Sequence, residues 1–247
     1  MSEARAVAVV TGASAGIGAA TVRHLRKAGY EVVAGARRIG KLRAEVEPHG
    51  ATAVALDVRD RASVAEFAAR VPRCDVLVNN AGGAFGMEPI AEANEDNWRA
   101  MWETNVLGLM LVTRALLPKI LASGRGHIVN IGSIAGFETY PGGAGYTSVK
   151  HAVRAISQTL RLELHGGPVR VTEIDPGLVE TEFSIVRLGD ASKAKKVYEG
   201  MTPLTDDDIA DCVAWAVTRP RHVNVDEIVI RPVAQARATL VARNVGL

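Results

Sequence analysis

The stretch AVAVVTGASAGIG, residues 6–18, decides the fold class of this chain. It begins with five apolar residues in a row, as in a β-strand that is buried on both faces of a sheet. A turn with three glycines follows at once, and a helical pattern then runs to Ala28 and ends at Gly29. Glycines let the backbone approach a ligand closely, and a helix N-terminus favours anions, so this unit predicts a phosphate-binding site. The turn alone is weak evidence, because many such matches are ordinary turns.

The alternation of strand and helix continues along the whole chain. Short apolar runs predict strands at residues 6–10, 31–36, 51–56, 75–78, 127–131, 169–174 and 225–230. Strands that alternate with helices are typical of a parallel sheet. No repeat, low-complexity linker or change of composition marks a second domain. We therefore expect one α/β domain over residues 1–247, a Rossmann-like doubly wound parallel sheet of about seven strands with helices on both faces.

The composition excludes several classes of protein. The 247 residues carry a net charge of +2, which gives no sign of nucleic-acid binding. Two cysteines without paired spacing and six histidines without ligand spacing predict neither a disulfide framework nor a metal site. Apolar runs stay near strand length and no leader pattern is present, so we expect no membrane span. These features favour a cytoplasmic protein.

Basic residues follow the second predicted strand, where dinucleotide-binding folds that prefer NAD usually place an acidic residue. The sequence has Arg37 and Arg38 at this point, with Lys41 and Arg43 close behind. A carboxylate would repel a 2′-phosphate, whereas guanidinium groups bind it through parallel hydrogen bonds. We interpret the segment as a preference for NADP, with a solvated basic helix start as the alternative.

The third and fourth predicted strands also end in residues that suit a cofactor. Asp57, followed by Val58, could hydrogen-bond an adenine amino group or simply cap the next helix. Asn79, Ala81 and Gly82 follow the fourth strand, and small residues there leave room for a flat ring. The asparagine side chain could instead tie neighbouring strands together.

A hydroxyl, a phenol and an ammonium group are placed to converge near the middle of the chain. Ser133 follows the fifth strand, and Tyr146 and Lys150 lie at the start of a helical segment. Residues four apart share one face of a helix, so Tyr146 and Lys150 can point into the same space as Ser133. The arrangement predicts a proton-transfer site.

A long helical pattern over residues 96–121 is apolar on more than one side. We expect a second buried face there, at a contact between subunits. Asn105 lies within this apolar helix, and its amide needs hydrogen-bond partners or a water.

The last third of the chain carries a Pro-Gly turn at Pro176 and Gly177. We expect an irregular segment from this turn to about Gly189, because long loops of this kind are often mobile and functional. Residues 178–200 are therefore a candidate lid, and residues 231–247 form a tail.

Five elements in this order resemble the short-chain dehydrogenase/reductase family over essentially the whole chain. They are residues 11–18, residues 79–82, Asn105, the set Ser133, Tyr146 and Lys150, and residues 176–181. The resemblance implies an NAD(P)-dependent oxidoreductase that forms a homotetramer or homodimer through the 96–121 helix and the helix near Tyr146. Residues 126–133 and 181–187 further resemble the NADP-dependent 3-hydroxy acid dehydrogenase branch. That branch acts on serine, allo-threonine or 3-hydroxypropionate.

The resemblance also implies roles for individual residues. Tyr146 would act as the general acid/base, and Ser133 would orient the substrate oxygen. Lys150 would lower the pKa of Tyr146 and bind the nicotinamide ribose, and Asn105 would hold a water. Cofactor contacts would come from Gly12, Ser14, Ala15, Gly16, Ile17, Gly18, Arg37, Arg38, Asp57, Val58, Asn79, Ala81, Gly82, Tyr146, Lys150, Pro176, Gly177, Val179 and Thr181.

The small-molecule substrate is the remaining question. A 3-hydroxy acid needs a cation for its carboxylate, and we expect Arg187 to supply it, with a solvent-facing or salt-bridged arginine as the alternative. Candidate apolar contacts are Phe85, Met87, Phe137 and Phe183. Such a pocket would also suit a carbonyl reductase for bulkier ketones or aldehydes. A protein of another class, an NADPH-sensing regulator, need not keep the four candidate catalytic residues together.

Overall fold

The structure is a computed structural model, and it describes residues 5–244. Its centre is a seven-stranded sheet in the order β3-β2-β1-β4-β5-β6-β7, with every neighbouring pair parallel. The strands are β1 Val7–Thr11, β2 Glu31–Ala36, β3 Thr52–Ala55, β4 Val76–Asn79, β5 His127–Ile131, β6 Arg170–Pro176 and β7 Glu227–Ile230. The predicted fold class is confirmed.

Helices cover both faces of the sheet. They are α1 Gly16–Lys27, α2 Ile39–Val46, α3 Arg61–Arg70, α4 Glu95–Trp102, α5 Gly108–Ala122, α6 Ala144–Glu163, α7 Glu182–Leu188, α8 Ala191–Val197 and α9 Asp206–Val217. One face of the sheet is packed by buried side chains such as Leu25, Leu42 and Ile209. The other is packed by Phe67 and Leu116 among others. Burial of these apolar side chains on both faces explains why β1 has no polar alternation.

The direction in which successive strands are added to the sheet reverses at β1. It first builds outward through β2 and β3, then crosses to β4 on the other side of β1. In open α/β sheets the ligand crevice lies at this switch point, outside the carboxyl ends of the strands. Residues that follow β1, β4, β5 and β6 therefore meet along one edge.

The long helix has the predicted length but is not a regular α-helix. A π-helical turn, Glu103–Leu107, separates α4 from α5 and contains Asn105. Trp102 and Met110 stay about half exposed on this helix. By length and composition alone, the stretch Glu95–Ala122 could cross a membrane, yet half of its most apolar window is buried inside the fold. A core helix passes the same test.

The segment after the Pro-Gly turn is more ordered than expected. The prediction of an irregular stretch to Gly189 is wrong, because α7 occupies residues 182–188 of it, and α8 follows directly after it. Thr181 caps α7 by accepting a hydrogen bond from the backbone of Phe183, and Gly189, at φ 63°, ends the helix. Asp190 caps α8 in the same way. The predicted tail lies within the described residues up to residue 244, and residues 245–247 lie outside them.

Candidate active site

Ser133, Tyr146 and Lys150 come together at the C-terminal edge of the sheet. Ser133 lies just after β5, and Tyr146 and Lys150 are one turn apart at the start of α6. The Lys150 ammonium lies 5.8 Å from the centroid of the Tyr146 ring. It donates a hydrogen bond of 2.9 Å to the carbonyl oxygen of Ile131 at the end of β5. A hydroxyl, a phenol and an ammonium group thus surround one space.

The charges around the phenol differ from the expected pattern. Burial raises the pKa of Tyr146, while a hydrogen bond with Ser133 and the positive charge of Arg187 act to lower it. The Arg187 guanidinium lies 5.2 Å from the centroid of the Tyr146 ring. Burial also lowers the pKa of Lys150 to about 8, against the raising effect of Glu173 and Asp175. Arg187, expected only at the substrate, therefore acts on the phenol as well.

Two acidic side chains lie behind Ser133. Asp175 accepts a hydrogen bond of 2.8 Å from the backbone N–H of Ser133. A Cβ at Gly132 would lie 2.1 Å from Oδ1 of Asp175 and 2.6 Å from Oε1 of Glu173. Any side chain at position 132 would have to displace these carboxyl groups, which explains the glycine there.

Asn105 connects the π-helical turn to the loop after β4. Its amide nitrogen donates hydrogen bonds to the carbonyl oxygens of Gly83, at 2.9 Å, and Met101, at 2.8 Å. Its amide oxygen accepts a hydrogen bond of 3.2 Å from the backbone of Gly83. These bonds satisfy the buried amide, so the structure gives Asn105 a clear positioning role. The water-holding role stays a prediction.

The glycine turn after β1 is packed tightly against the end of β4. Gly12 has φ +67°, and a Cβ there would lie 2.8 Å from the Cα of Ala81. A Cβ at Gly18 would lie 2.5 Å from the carbonyl oxygen of Gly12. The Thr11 hydroxyl accepts hydrogen bonds from the backbone N–H groups of Asn80 and Ala81. The turn and the loop after β4 thus form one continuous backbone surface.

The basic residues after β2 face the start of α7. Arg38 donates to the Ser14 hydroxyl at 3.4 Å and forms an ion pair with Glu182 at 3.1 Å. Lys41 pairs with the other carboxylate oxygen of Glu182. Hydrogen bonds from Lys41 and Arg38 lower the pKa of the Glu182 carboxyl group. Arg37 is exposed next to this cluster.

Other candidate cofactor residues occupy structural positions. Asp57 accepts a hydrogen bond from the backbone of Arg59, and the helix that follows is capped by Asp60 instead. The alternative in which Asp57 caps that helix is therefore wrong. Val58 is buried and packs against the backbone at Gly108. Asn79 is also buried, and its amide donates to the side chains of Thr113 and Asn130, both at 2.9 Å, which ties β4 to β5 and α5.

The candidate lid, residues 178–200, begins directly beside the glycine turn. Pro176 ends β6, and Gly177 donates a backbone hydrogen bond of 2.7 Å to Ile230 of β7. Val179 forms a parallel bridge with Leu204. A Cβ at Gly16 would lie 3.3 Å from the Thr181 side chain. The entrance to α7 therefore lies in contact with the candidate phosphate site.

Arg187 extends from α7 into the space beside Tyr146. Its Nε donates to the carbonyl oxygen of Gly86 at 3.3 Å, and its guanidinium lies 5.5 Å from the centroid of the Tyr140 ring. Its Nη2 is buried and has no hydrogen-bond partner among the described residues. An unpaired, buried cationic donor is costly unless a ligand completes its hydrogen bonds.

Aromatic residues form the wall around this space. The rings of Tyr146 and Phe183 lie 5.4 Å apart, and Phe85 and Trp98 pack in the same cluster. Phe137 lies further along α6: its ring is 5.0 Å from the guanidinium of Arg154 and 5.7 Å from that of Arg231. The groove beside Tyr146 is lined by residues of the 85–101 segment and of the turn before α6, and neither Phe137 nor Met87 is among them.

Comparison with known proteins assigns the family. A family model described as short chain dehydrogenase matches residues 6–188. The chain belongs to that family. It is 46% identical over 242 residues to an NADP-dependent 3-hydroxy acid dehydrogenase of Salmonella typhi, which covers 95% of this chain and 98% of the relative. It is also 56% identical over 234 residues to an uncharacterised oxidoreductase of Mycobacterium tuberculosis, with 94% and 93% covered.

A solved structure agrees with this assignment. The closed form of a serine dehydrogenase in complex with NADP⁺ superposes with a TM-score of 0.91 at 44% identity, over 95% of this chain and 98% of the other. As a short-chain dehydrogenase, the chain has a backbone that fits a dinucleotide. The left-handed glycines of the turn leave no side chain in the way, and the cations of Arg38 and Lys41 lie next to it.

Sequence reasoning missed several residues of the site. Tyr140 and Trp98 were not expected in the aromatic wall, and Glu182 was not expected against the basic cluster. Glu173 and Asp175 carried a visible signal, since two acids flank Ile174 within a single strand. No group of histidine, cysteine or acidic side chains suited to a metal ion occurs within residues 5–244.

Proposed function

We propose that this protein is an NADP-dependent oxidoreductase that interconverts small 3-hydroxy acids and the corresponding 3-oxo acids. Serine, allo-threonine and 3-hydroxypropionate are the substrates that fit best. The observation that carries the proposal is the buried, unpartnered Nη2 of Arg187 next to Tyr146. A carboxylate bound there would complete the hydrogen bonds of the guanidinium and present the hydroxyl group to the phenol.

The residues around the phenol perform the proton transfer. Tyr146, as the phenolate, takes the proton of the substrate hydroxyl during oxidation and returns it during reduction. Ser133 donates a hydrogen bond to the substrate oxygen and fixes its position. The positive charges of Arg187 and Lys150 favour the phenolate over the phenol. When bound, the nicotinamide cofactor accepts or supplies the hydride.

The switch point of the sheet would hold the cofactor. Backbone N–H groups of the glycine turn and the start of α1 suit the pyrophosphate. Arg38 and Lys41, with Arg37 beside them, suit a 2′-phosphate, because their charges oppose its own. A cofactor without that phosphate would leave these cations with Glu182 alone. This contrast supports NADP over NAD.

A substrate panel in both directions tests the proposal. Oxidation of serine, allo-threonine and 3-hydroxypropionate is followed by NADPH absorbance, and each is compared with its amide, which has no carboxylate. We expect high kcat/KM only for the acids and only with NADP. Tyr146→Phe should abolish turnover while cofactor binding, measured by NADPH fluorescence, is retained. Activity that survives in Tyr146→Phe would refute the proton-transfer role of Tyr146. It would also exclude a non-catalytic regulator that only senses NADPH.

Reduction of bulkier ketones or aldehydes is the second candidate. The aromatic wall formed by Phe183, Phe85 and Trp98 favours it, because such a wall binds apolar groups well. The half-exposed lid residues Ile185 and Val186 would add to that surface. Faster reduction of an aryl ketone than of malonic semialdehyde in the same panel would support this activity instead.

We also infer that the protein is a homotetramer or homodimer through the long helix and α6. Large apolar side chains stay exposed on both, with Trp102 at 50%, Met110 at 48% and Leu162 at 79%. Light scattering after size-exclusion chromatography tests the inference, and a mass of one chain would contradict it. Both cysteines are free thiols, which is compatible with a reducing, cytoplasmic location.

A further inference from the structure

Glu173 and Asp175 form a buried pair of carboxyl groups at the end of β6. The two residues are 2% and 0% exposed, and they point to the same face of the strand because they are two residues apart. Both carboxyl groups lie over Gly132, where a Cβ would approach each within 2.6 Å. Oε1 of Glu173 and Oδ2 of Asp175 have no hydrogen-bond partner among the described protein atoms. Two ionised carboxylates that are this close together and this deeply buried would repel each other strongly.

The pair lies next to the catalytic residues through the backbone of one short segment. Ile131 accepts the hydrogen bond of Lys150, and Ser133 donates its backbone N–H to Asp175. Gly132 lies between them under the carboxyl groups. The charge state of the pair therefore acts directly on Lys150 and on the position of Ser133.

The charged groups that face the pair do not balance unless one proton is retained. From α6, Lys150 and Arg154 present positive charges. From β7, Glu227 faces Asp175, but its two oxygens already bind Arg154 at 2.6 and 2.9 Å. Arg154 and Glu227 thus neutralise each other, and Lys150 is left facing both Glu173 and Asp175. One negative charge on the pair balances Lys150, and a second would be unpaired in the core.

Proton affinities in this cluster agree with that balance. Burial, followed by the charge of Glu173, raises the pKa of Asp175 to about 8. Burial also raises the pKa of Glu173, while the nearby polar groups of Ser157 and Asp175 and the charge of Lys150 lower it. Both shifts favour a proton held between the two groups at neutral pH.

We propose that Glu173 and Asp175 share one proton at neutral pH, and that their single negative charge is the counter-charge that keeps Lys150 protonated beside Tyr146. Both acids are positioning residues, because they act through Lys150 and Ser133 and do not touch the substrate. The consequence for activity rests on the proposed function, whereas the shared proton itself does not. The pair would then set the upper pH limit of catalysis.

Infrared spectroscopy of the protein alone tests the shared proton. A protonated carboxyl group has a C=O band that shifts in D₂O, and we expect this band at pH 7 in the wild type. Glu173→Gln and Asp175→Asn should each remove it, because the remaining acid then ionises without a charged neighbour. Glu138→Gln is the matched control, since Glu138 is a partly buried acid paired with Arg231 elsewhere, at 2.8 Å. The control should keep the band.

The pH profile of kcat/KM tests the counter-charge. Each single variant keeps one negative charge and should leave the basic limb where it is. The double variant of Glu173→Gln and Asp175→Asn has no charge at these two positions. Its basic limb should move down by about one to two pH units, because Lys150 loses its proton more easily.

A wild type without the carboxyl band at pH 7 would overturn the shared proton, whatever the substrate. A basic limb that moves equally in single and double variants would overturn the counter-charge. If the double variant does not fold, the single variants decide, because a basic limb that moves down by about one pH unit or more in either of them would overturn the counter-charge.

Discussion

Replacing Arg187 with methionine separates the two effects of its guanidinium. Methionine keeps the length and apolar stem of the side chain but removes the charge and all five donors. The substitution removes the 3.3 Å hydrogen bond to Gly86 and the ring contacts with Tyr140 and Tyr146. It also removes the buried, unpaired Nη2, which we assign to the substrate carboxylate.

The expected magnitude follows from the bond that the carboxylate would make. A hydrogen bond to a charged group contributes about 1.5–3 kcal/mol, which corresponds to a loss of about 10- to 150-fold in kcat/KM for an acid substrate. An amide of the same acid lacks the charge, so its kcat/KM should change by about threefold or less. Because Arg187 also lowers the pKa of Tyr146, the acidic limb of both profiles should move to higher pH in the variant.

The assay therefore compares acid and amide on the pH-independent plateau of each profile. There the change in the pKa of Tyr146 no longer contributes, and only substrate recognition is measured. Arg187→Lys is the control that keeps a charge without the planar fork, and it should recover part of the loss. An equal loss for acid and amide in Arg187→Met would refute the carboxylate assignment.

Three further predictions concern other parts of the molecule. Glu182→Gln should tighten NADP binding about 2- to 10-fold and leave the affinity for NAD unchanged, because the carboxylate competes with the 2′-phosphate for Arg38. Calorimetry measures both affinities, and an unchanged affinity for NADP would count against the competition. Gly132→Ala should lower the free energy of unfolding by about 1–3 kcal/mol, since its Cβ would lie 2.1 Å from Asp175; urea denaturation measures the loss. Burial lowers the pKa of His127 to about 3. As the pH falls below about 6.5, the imidazole therefore takes up a proton only in the unfolded chain. The free energy of unfolding then falls by up to about 1.4 kcal/mol per pH unit. His127→Gln should flatten this part of the stability curve, and an unchanged slope would argue against the shift.

Local patterns were sufficient to predict the sheet and the shared helix face of Tyr146 and Lys150. The apolar run of β1 with its glycine turn specifies the first strand and helix within one contiguous segment. Tyr146 and Lys150 share a helix face because of their spacing alone. Each of these predictions depends on a few residues that are neighbours in sequence, and none of them requires knowledge of tertiary contacts.

Features that depend on distant partners could not be predicted. Glu182 meets Arg38 across 144 residues of sequence, and nothing in either local pattern indicates the pairing. The helices α7 and α8 have seven residues each, too few for a periodic pattern to identify. Their local signals are the N-cap residues Thr181 and Asp190 and the C-terminal Gly189 of α7. Phe137 was expected in the pocket because of its proximity to Ser133, yet its ring packs on the guanidinium of Arg154.

The π-helical turn shifts the angular phase of the long helix. A wide turn holds about one residue more than an α-helical turn, which corresponds to a rotation of about 100°. With this offset, Trp98 and Met101 reach α6 so closely that a Cβ at Gly145 would lie 2.6 and 2.4 Å from them, while Leu116 reaches the sheet. Deleting one residue within Glu103–Leu107 would restore a uniform α-helix. Either the side chains that contact α6 or those that contact the sheet would then rotate into solvent. A single helix can thus serve two differently oriented surfaces, and Asn105 lies at the joint between them.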